Sequence, residues 1–456
     1  MNSSSLQPLS PDTPTGYPSR SIFSLPTELV IEITAAGQEG RVPGISSPEV
    51  FKSEWTMSHV CHRFRDVIIG APSLWTLVEA NFSFEGSVQI LGLYLERSQS
   101  CNIWAMCEFS QEARVGSEDH LAAERLSHIL PHTQRIYRLG LTATLSSIVP
   151  MLAAFRDAAV PALEHLEIQF AHRVLYYAGP LDLFSFGPPL ALTFLKITGF
   201  MRYPLPQWTN SVTHLEFWRS ADAEDEDGNI AFISFTAECP ALIHLRVDAG
   251  EWTSAEGMDR IVIPSLESLH ISARDCEDAS QLLSILGRFD TPALVRLTID
   301  YAHGDWVCVL FDPMSLPDST FPALTSLSFV GNKLSQCEGP ASIPPFFQAI
   351  PPLRLFPALS SLTLIDGCFT AHIVEQIFGP TSDPWPLLET VTVCPIEGTL
   401  QDVYQTLQRV IRSKRQRAQI LPKFHFSAIL YNQSYWNEHG VDVELFDPTA
   451  MVAALA

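Results

Sequence analysis

A short apolar motif recurs nine times between residues 161 and 393 of this chain. Most copies begin with Pro, and each then places three apolar residues separated by two residues and by one residue. A period of roughly 20 to 35 residues is typical of solenoids, in which each repeat buries its apolar face against its neighbours. The spacing therefore predicts a solenoid, which a fainter copy at Ile136/Leu139/Leu141 extends towards the N-terminus. The apolar positions of the nine copies are Leu163/Leu166/Ile168, Leu192/Leu195/Ile197, Val212/Leu215/Phe217, Leu242/Leu245/Val247, Leu266/Leu269/Ile271, Leu294/Leu297/Ile299, Leu324/Leu327/Phe329, Leu359/Leu362/Leu364 and Leu388/Val391/Val393.

Within each copy the last two apolar residues alternate with other residues, and this alternation predicts a strand with one buried face. In the first copy Leu166 and Ile168 point inward, so His165 and Glu167 point to the opposite face. Up to residue 300 the outward positions carry charged and aromatic side chains, whereas the last three copies expose mainly Ser and Thr. The candidate partner-binding residues are therefore His165, Glu167, Lys196, His214, Glu216, Trp218, His244, Arg246, Asp248, Arg296 and Asp300.

This outward face has two interpretations, a partner-recognition surface or a generic polar face. Charge-assisted hydrogen bonds and ring stacking favour recognition, with Trp218, Arg246 and Arg296 as the hypothetical anchors. The net charge of −22 disfavours nucleic acid and anionic membranes as partners, so we expect a protein partner. No Cys-x-x-Cys pair occurs among the nine cysteines, and residues 1–20 lack the apolar core of a signal peptide. We therefore expect reduced thiols and a cytoplasmic location, with the nucleus as the alternative.

Residues 21 to 80 differ in pattern from the repeats and predict a small helical unit. Apolar residues four apart predict one short helix, Gly37 to Ser47 predicts a loop, and a second helix follows around Phe64. The segments Leu25-Pro26-Thr27-Glu28-Leu29, Val60-Cys61-His62-Arg63-Phe64-Arg65 and Leu74-Trp75 resemble an F-box in sequence and order. The resemblance covers about 55 residues, an eighth of the chain, and departs from the family between Ala35 and Trp55.

The repeats, in turn, resemble leucine-rich repeats, although the Asn or Cys of that family's ninth position is present only as Asn332. Together the two resemblances suggest an F-box/leucine-rich-repeat protein of the α/β class, with a parallel sheet on the concave face of an irregular solenoid. The expected organisation is a disordered N-terminus (1–20), an F-box-like domain (21–80), a connecting and capping segment (81–130), the solenoid (131–430) and a C-terminal tail (431–456).

An F-box/leucine-rich-repeat protein would be a non-catalytic, substrate-recognition subunit of an Skp–cullin–F-box ubiquitin ligase. By resemblance, the helical unit binds an Skp-type adaptor, and through it a cullin, while the concave face binds an unknown target protein. Three alternatives stay open: an interaction scaffold with an F-box-shaped cap, a receptor for a small ligand, and a hydrolase on another fold. The residues that the resemblance places at or beneath the adaptor interface are Leu25, Pro26, Leu29, Ile33 and Val60.

Several weaker patterns favour no cofactor, metal or catalytic site. His165, His214 and His244 share one repeat position, but two neighbouring imidazoles without further ligands make a poor zinc site. The acidic run from Asp222 to Gly228 lacks two essential ligands of a calcium loop and is interpreted as a solvated insertion. The basic run from Arg412 to Arg417 fits a helix C-terminus as well as a nuclear import signal. The sequence contains no nucleophile elbow, phosphate-binding glycine loop, dinucleotide fingerprint or His-Glu-x-x-His motif.

Overall fold

The fold is that of a computed structural model of the whole chain. The acidic run near residue 222, residues 1–20 and most of the C-terminal tail lie outside the described residues, as does Asn332. The structure describes residues 22–39, 52–81, 87–109, 126–143, 145–170, 183–184, 189–198, 207–218, 239–248, 260–273, 279–300, 321–331, 356–365, 378, 387–394, 400–416, 422–427 and 443–446.

Three short helices form the N-terminal unit: α1 (Thr27–Glu39), α2 (Ser53–Ser58) and α3 (His62–Ile69). A 3-10 turn, Pro72–Trp75, closes it. The second predicted helix is therefore two helices, and Cys61 separates them because its Sγ accepts a hydrogen bond from the Phe64 amide (3.4 Å) and caps α3. The predicted loop begins later than expected, since α1 continues through Gly37 to Glu39.

The core of this unit forms where the three helices meet the 3-10 turn. Val30, Phe64, Ile68 and Trp75 are all buried there, and the Trp75 indole donates a hydrogen bond to the Ile68 carbonyl (2.8 Å). Val30 is one residue out of phase with the apolar stripe at Leu25, Leu29 and Ile33, so α1 packs on a different face from that stripe. Leu29 and Ile33 of this stripe are exposed, and Leu25 is half-buried against the core.

Within the part of the chain that the structure describes, fourteen parallel strands form one sheet, and each strand pairs with its neighbours in chain order. Two short strands, β8 and β10, stand apart and pair with each other. All nine strands expected from the repeated motif are present, as is the strand of the fainter copy at Ile136. The strands are β1 (Leu77–Asn81), β2 (Ile103–Phe109), β3 (Ile136–Ala143), β4 (His165–Phe170), β5 (Phe194–Thr198), β6 (His214–Trp218), β7 (His244–Asp248), β8 (Ile261–Val262), β9 (Ser268–Ser272), β10 (Phe289–Asp290), β11 (Arg296–Asp300), β12 (Ser326–Val330), β13 (Ser361–Ile365), β14 (Thr390–Cys394), β15 (Lys423–Ser427) and β16 (Val443–Phe446).

The proline of the motif belongs to a turn that starts each strand. In the fourth copy the Leu242 amide donates to the Cys239 carbonyl (3.1 Å), which places Pro240 at the second position of a four-residue turn. Proline favours that position because its fixed φ matches the turn. The same bond recurs before other strands, for example from Leu294 to Thr291 (3.0 Å). Each turn directs the first leucine of its copy into the core, where Leu242 and Leu294 are fully buried.

Pairing is in register from copy to copy, so equivalent residues lie side by side across the sheet. Leu166 of β4 pairs with Leu195 of β5, which pairs with Leu215 of β6. These inward positions are buried in every described copy, and stacking them makes one continuous apolar core. The repeats therefore form a solenoid-like α/β fold with a large parallel sheet, as the period predicted.

Among the described residues, four further helices lie between the strands along the chain: α4 (Ser87–Arg97), α5 (Leu145–Arg156), α6 (Ala279–Leu286) and α7 (Leu400–Gln416). The last ends within the basic run from Arg412 to Arg417, which fits a helix C-terminus. Each helix contributes buried apolar side chains to the core, for example Leu91 from α4 and Phe155 from α5. We call the opposite face of the sheet, which carries the outward residues, the open face.

Candidate functional site

The open face consists of three rows of side chains, because each strand of the large sheet from β4 to β13 presents its first, third and fifth residues outward. The first row includes His165, Phe194 and His214, which are register partners on consecutive strands. The second row includes Lys196, Glu216 and Arg246 in the same sense. The third row includes Thr198, Trp218, Asp248, Ser272, Asp300, Val330 and Ile365.

Rings stack along the first row. The imidazoles of His214 and His244 are stacked with centroids 4.2 Å apart, and His165 lies 5.2 Å from the Phe194 ring. Burial lowers the pKa of all three histidines, and nearby positive charge from Arg138 and from Arg296 adds to the effect at His165 and His244, respectively. The middle of this row is therefore an uncharged aromatic surface at neutral pH.

A chain of polar contacts links the second and third rows. Lys196 forms an ion pair with Glu216 (3.7 Å), and the same Glu216 oxygen accepts a hydrogen bond from the Trp218 indole (3.2 Å). The Arg246 guanidinium lies over the Trp218 ring, 4.5 Å from its centroid. Two of the three hypothetical anchors, Trp218 and Arg246, thus bind each other within the chain.

Asp300 forms the end of this chain of contacts. One of its oxygens, Oδ2, lies 2.7 Å from His270 Nε2 and 3.8 Å from Arg246 Nη2. Its other oxygen, Oδ1, is buried without a hydrogen-bond partner among the described residues, and so is the Ser272 hydroxyl on the neighbouring strand. Strand alternation alone does not single out His270, whose role depends on the diagonal contact to Asp300.

The structure brings seven of the eleven candidate partner-binding residues into two groups. His214 and His244 stack in the first row, and Lys196, Glu216, Trp218, Arg246 and Asp300 form the contact chain. Glu167 lies beside Lys196 by register, and Asp248 is buried in the third row. His165 belongs to the other ring pair, and Arg296 is exposed in the first row. All eleven residues lie on the open face.

The candidate adaptor-binding residues lie on α1, just before α1, and between α2 and α3. Leu29, Ile33 and Val60 are 42%, 49% and 43% exposed, unusually high values for large apolar side chains on packed helices. Pro26 is also exposed, and Leu25 is half-buried. Arg63 Nη2 donates to the Leu25 carbonyl (2.6 Å), which holds the start of α3 against the start of α1. We call Leu29, Ile33 and Val60, with Pro26, the exposed apolar patch.

A buried polar network fastens the N-terminal unit to the first part of the sheet. The fully buried Glu54 accepts hydrogen bonds from the Tyr94 hydroxyl of α4 and from Gln38 Nε2 (2.8 Å). The Tyr94 hydroxyl in turn accepts from the Trp55 indole (2.9 Å), and Gln38 also donates to the Leu74 carbonyl (2.9 Å). Because a buried carboxylate needs such partners, this network specifies how the helices sit on α4.

Two common arrangements of catalytic residues are not found within the described residues. Those residues hold no group of three or more His, Cys, Asp or Glu placed to bind a metal ion. Ser272, His270 and Asp300 are the residue types of a hydrolytic triad, but the Ser272 hydroxyl has no hydrogen bond to a described base that would activate it. Among the helices that the structure describes, none is long and apolar enough to cross a membrane.

Comparison with known proteins adds only distant likeness. No protein-family model matches the chain, and no curated protein matches it. A crystal structure of a protein from Bacteroides fragilis is 14% identical over 56% of this chain and 75% of that chain, with a TM-score of 0.32. The crystal structure of the Rad7 and Elc1 complex in yeast is 11% identical over 82% of this chain and 94% of that chain, with a TM-score of 0.30. Scores this low leave the function to be argued from the chain itself.

Proposed function

We propose that this chain is a substrate-recognition subunit of an Skp–cullin–F-box ubiquitin ligase. In this proposal the exposed apolar patch binds an Skp-type adaptor, and the open face is the concave surface that binds a target protein. The chain supplies no catalytic residue; it raises the effective concentration of the target near the ubiquitin-conjugating enzyme that the cullin recruits.

The exposed apolar patch is the observation that carries the proposal. Leu29 and Ile33 lie one helical turn apart on α1 and are exposed, whereas Val30 beside them is buried. Exposed to water, these apolar side chains do not stabilise the chain. Burying a side chain of this size in an interface contributes about 1.5–3 kcal/mol to binding. Their exposure on the segment that resembles an F-box fits an adaptor surface better than a structural cap, which would turn these residues inward.

The open face supports the second half of the proposal. Its β4–β11 portion combines aromatic rings, imidazoles and paired charges, and these residue types dominate protein interfaces. The Trp218–Arg246 contact pre-organises two long side chains, which lowers the entropy that a partner must overcome on binding. A binding surface built on strands is also held more rigidly than one built on loops.

Adaptor capture tests the proposal directly. The purified chain is mixed with an Skp-type adaptor, and wild type is compared with the Leu29→Ala/Ile33→Ala double variant. We expect capture by wild type and a loss of at least about tenfold in the variant, because truncating two buried interface residues costs more than 1.4 kcal/mol. The matched control is Val262→Ala/Leu387→Ala, two exposed apolar residues far from α1 in sequence.

Circular dichroism must show that both double variants remain folded. Equal capture by wild type and the Leu29→Ala/Ile33→Ala variant would contradict the assigned interface. No capture by wild type would instead favour the alternative of an interaction scaffold whose F-box-shaped unit is a cap. A screen of metabolites by thermal shift tests the small-ligand receptor.

A further inference from the structure

An arginine without a partner of opposite charge stands near the start of the first row of the open face. The register of the sheet extends that row beyond His165, which pairs with Arg138 of β3, and Arg138 in turn pairs with Trp104 of β2. All three side chains are half-buried. The Arg138 guanidinium lies over the Trp104 ring, 4.2 Å from its centroid, and the His165 ring contacts Phe194 on its other side. The row therefore begins as a series of planar groups that carries one permanent positive charge.

The described chain provides no acceptor for this guanidinium. Arg138 forms no hydrogen bond or ion pair with a described residue, and its Nε is buried without a partner. Of its three side-chain nitrogens Nε alone is buried in this way, so Nη1 and Nη2 remain accessible. Two carboxylates lie close along the neighbouring segment, at Glu164 and Glu167, but neither forms an ion pair with Arg138. Arg138 is therefore a charged fork of donors whose terminal N–H groups are available to a ligand.

The charge of the first row favours an anionic ligand. Along the strands of the large sheet from β2 to β13, the described first row contains two arginines and no carboxylate, although the whole chain has a net charge of −22. That net charge repels a polyanion such as RNA or an anionic membrane, so a single carboxylate on a protein is the anion that fits. The first row from β2 to β13 consists of Trp104, Arg138, His165, Phe194, His214, His244, Ser268, Arg296, Ser326 and Ser361.

We infer that Arg138 binds the carboxylate of an Asp or Glu side chain on the target protein, with an apolar residue of the same segment against Phe194. A carboxylate can accept two parallel hydrogen bonds from a guanidinium, which gives the contact a defined geometry. Stacking on Trp104 holds the guanidinium in place before the target arrives, so less side-chain entropy is lost on binding. Phe194 lies two strand spacings from Arg138, about 9.6 Å, and an extended segment advances about 3.3 Å per residue. The apolar residue is therefore expected two or three positions from the acidic one.

This inference rests on the proposed function, because it names the group on the target that the open face binds, but it is tested without the adaptor. Random peptides displayed on phage are selected on the immobilised full chain, and the selection is repeated on the Arg138→Gln variant. Peptides enriched on wild type alone are synthesised with Glu, Gln or phosphoserine at the acidic position. We expect Asp or Glu to be enriched, and the Gln peptide to bind wild type at least about tenfold more weakly than the Glu peptide, because Gln loses the charge of the bond.

Variants locate the site, and circular dichroism must show that each is folded. Arg138→Gln should bind the Glu and Gln peptides equally, because the charge that distinguishes them is gone. Arg138→Lys keeps the charge but not the fork, so it should bind the Glu peptide more weakly than wild type and still prefer it to the Gln peptide. This second variant serves if Arg138→Gln unfolds. Arg260→Gln is the matched control, since it removes one exposed arginine just before β8, outside the large sheet, and should keep the wild-type preference.

Four results would overturn the inference. The first two are no enrichment of Asp or Glu on wild type over Arg138→Gln, and equal binding of the Glu and Gln peptides by wild type. The third is a preference for Glu that persists in Arg138→Gln. The fourth is binding of the phosphoserine peptide at least about tenfold tighter than the Glu peptide, which would assign the site to a phosphate group. Adaptor capture is scored separately, so failure of the carboxylate site leaves the adaptor proposal standing, and loss of adaptor capture leaves the peptide result standing.

Discussion

Replacing Tyr94 with Phe removes one hydroxyl from the network that joins the N-terminal helices to α4. That hydroxyl donates to the buried Glu54 carboxylate and accepts from the Trp55 indole. A hydrogen bond to a charged group contributes about 1.5–3 kcal/mol, and the stranded indole donor adds about 1 kcal/mol. Glu54 keeps its bond from Gln38, so the expected loss is about 3 kcal/mol.

The loss should be local, because the hydroxyl holds the helices and not the sheet. Opening of α1–α3 away from α4 would become about 100-fold more frequent, since each 1.4 kcal/mol is a factor of ten. Native-state hydrogen exchange measures this opening as faster exchange of the amides of α1–α3. Amides of β11 to β13, which lie far along the sheet, should exchange at the wild-type rate.

Tyr137→Phe is the control, because Tyr137 is a half-buried tyrosine on β3 whose hydroxyl has no hydrogen bond within the described residues. It should leave exchange in α1–α3 unchanged. An acceleration in Tyr94→Phe below about threefold would mean that the network contributes less than about 0.7 kcal/mol. Equal acceleration in α1–α3 and β11–β13 would show that the sheet and the helices unfold as one unit, and either result would refute the reasoning.

Two further predictions concern titratable groups. Burial lowers the pKa of His214 and His244, so the unfolded chain takes up protons first and stability falls as pH drops below about 6.5. The urea midpoints of unfolding at pH 7.5 and pH 5.5 should therefore differ less in the His214→Phe/His244→Phe variant than in wild type. An equal difference in the two proteins would reject this cause. Burial raises the pKa of Cys107 to about 12, so iodoacetamide at pH 8 should modify the half-buried Cys101 well before Cys107. Peptide mass spectrometry after labelling of the native protein measures the two rates. Similar rates would contradict the burial of Cys107.

The strands could be predicted from sequence because each copy of the motif contains the alternation of apolar residues that is typical of a strand. The alternation around Leu166 or Leu245 determines both the strand and the buried face, and in-register stacking then places equivalent residues side by side. The sequence also indicated that His214 and His244 would be neighbours about one strand spacing apart. Their ring centroids are 4.2 Å apart, which confirms that expectation.

Other elements gave no such periodic signal. β1 and β16 are short strands without the full motif, and β8 and β10 are two residues each, too short for alternation to be recognised. The break between α2 and α3 depends on a sulfur cap at Cys61, whereas the apolar pattern continues through it. Helical spacing predicted an apolar face at Leu25, Leu29 and Ile33. It did not predict that Leu29 and Ile33 are exposed, because the side of α1 that packs is the one on which Val30 is buried with Phe64.

The contacts within the candidate sites could not be predicted from sequence, because they depend on side-chain geometry. Alternation placed Trp218, Arg246 and Asp300 on one face but could not show that Arg246 stacks on Trp218 instead of projecting towards a partner. The diagonal contact from His270 to Asp300 joins residues 30 positions apart and depends on rotamers. Burial of Asp248, Ser272 and Asp300 in the third row was likewise unexpected, since an outward strand position ordinarily predicts exposure.

The chain-order pairing of the strands has a consequence for how this protein is made. In the described sheet each strand joins the one before it, with only the β8–β10 pair set aside. A ribosome needs on the order of seconds to add one repeat, whereas local strand closure takes microseconds to milliseconds. Each repeat therefore has time to dock on the previous one before the next emerges, with the N-terminal helices and β1 as the first template. Throughout synthesis the nascent chain carries one unpaired sheet edge at its growing end, and that edge is the surface a chaperone must protect.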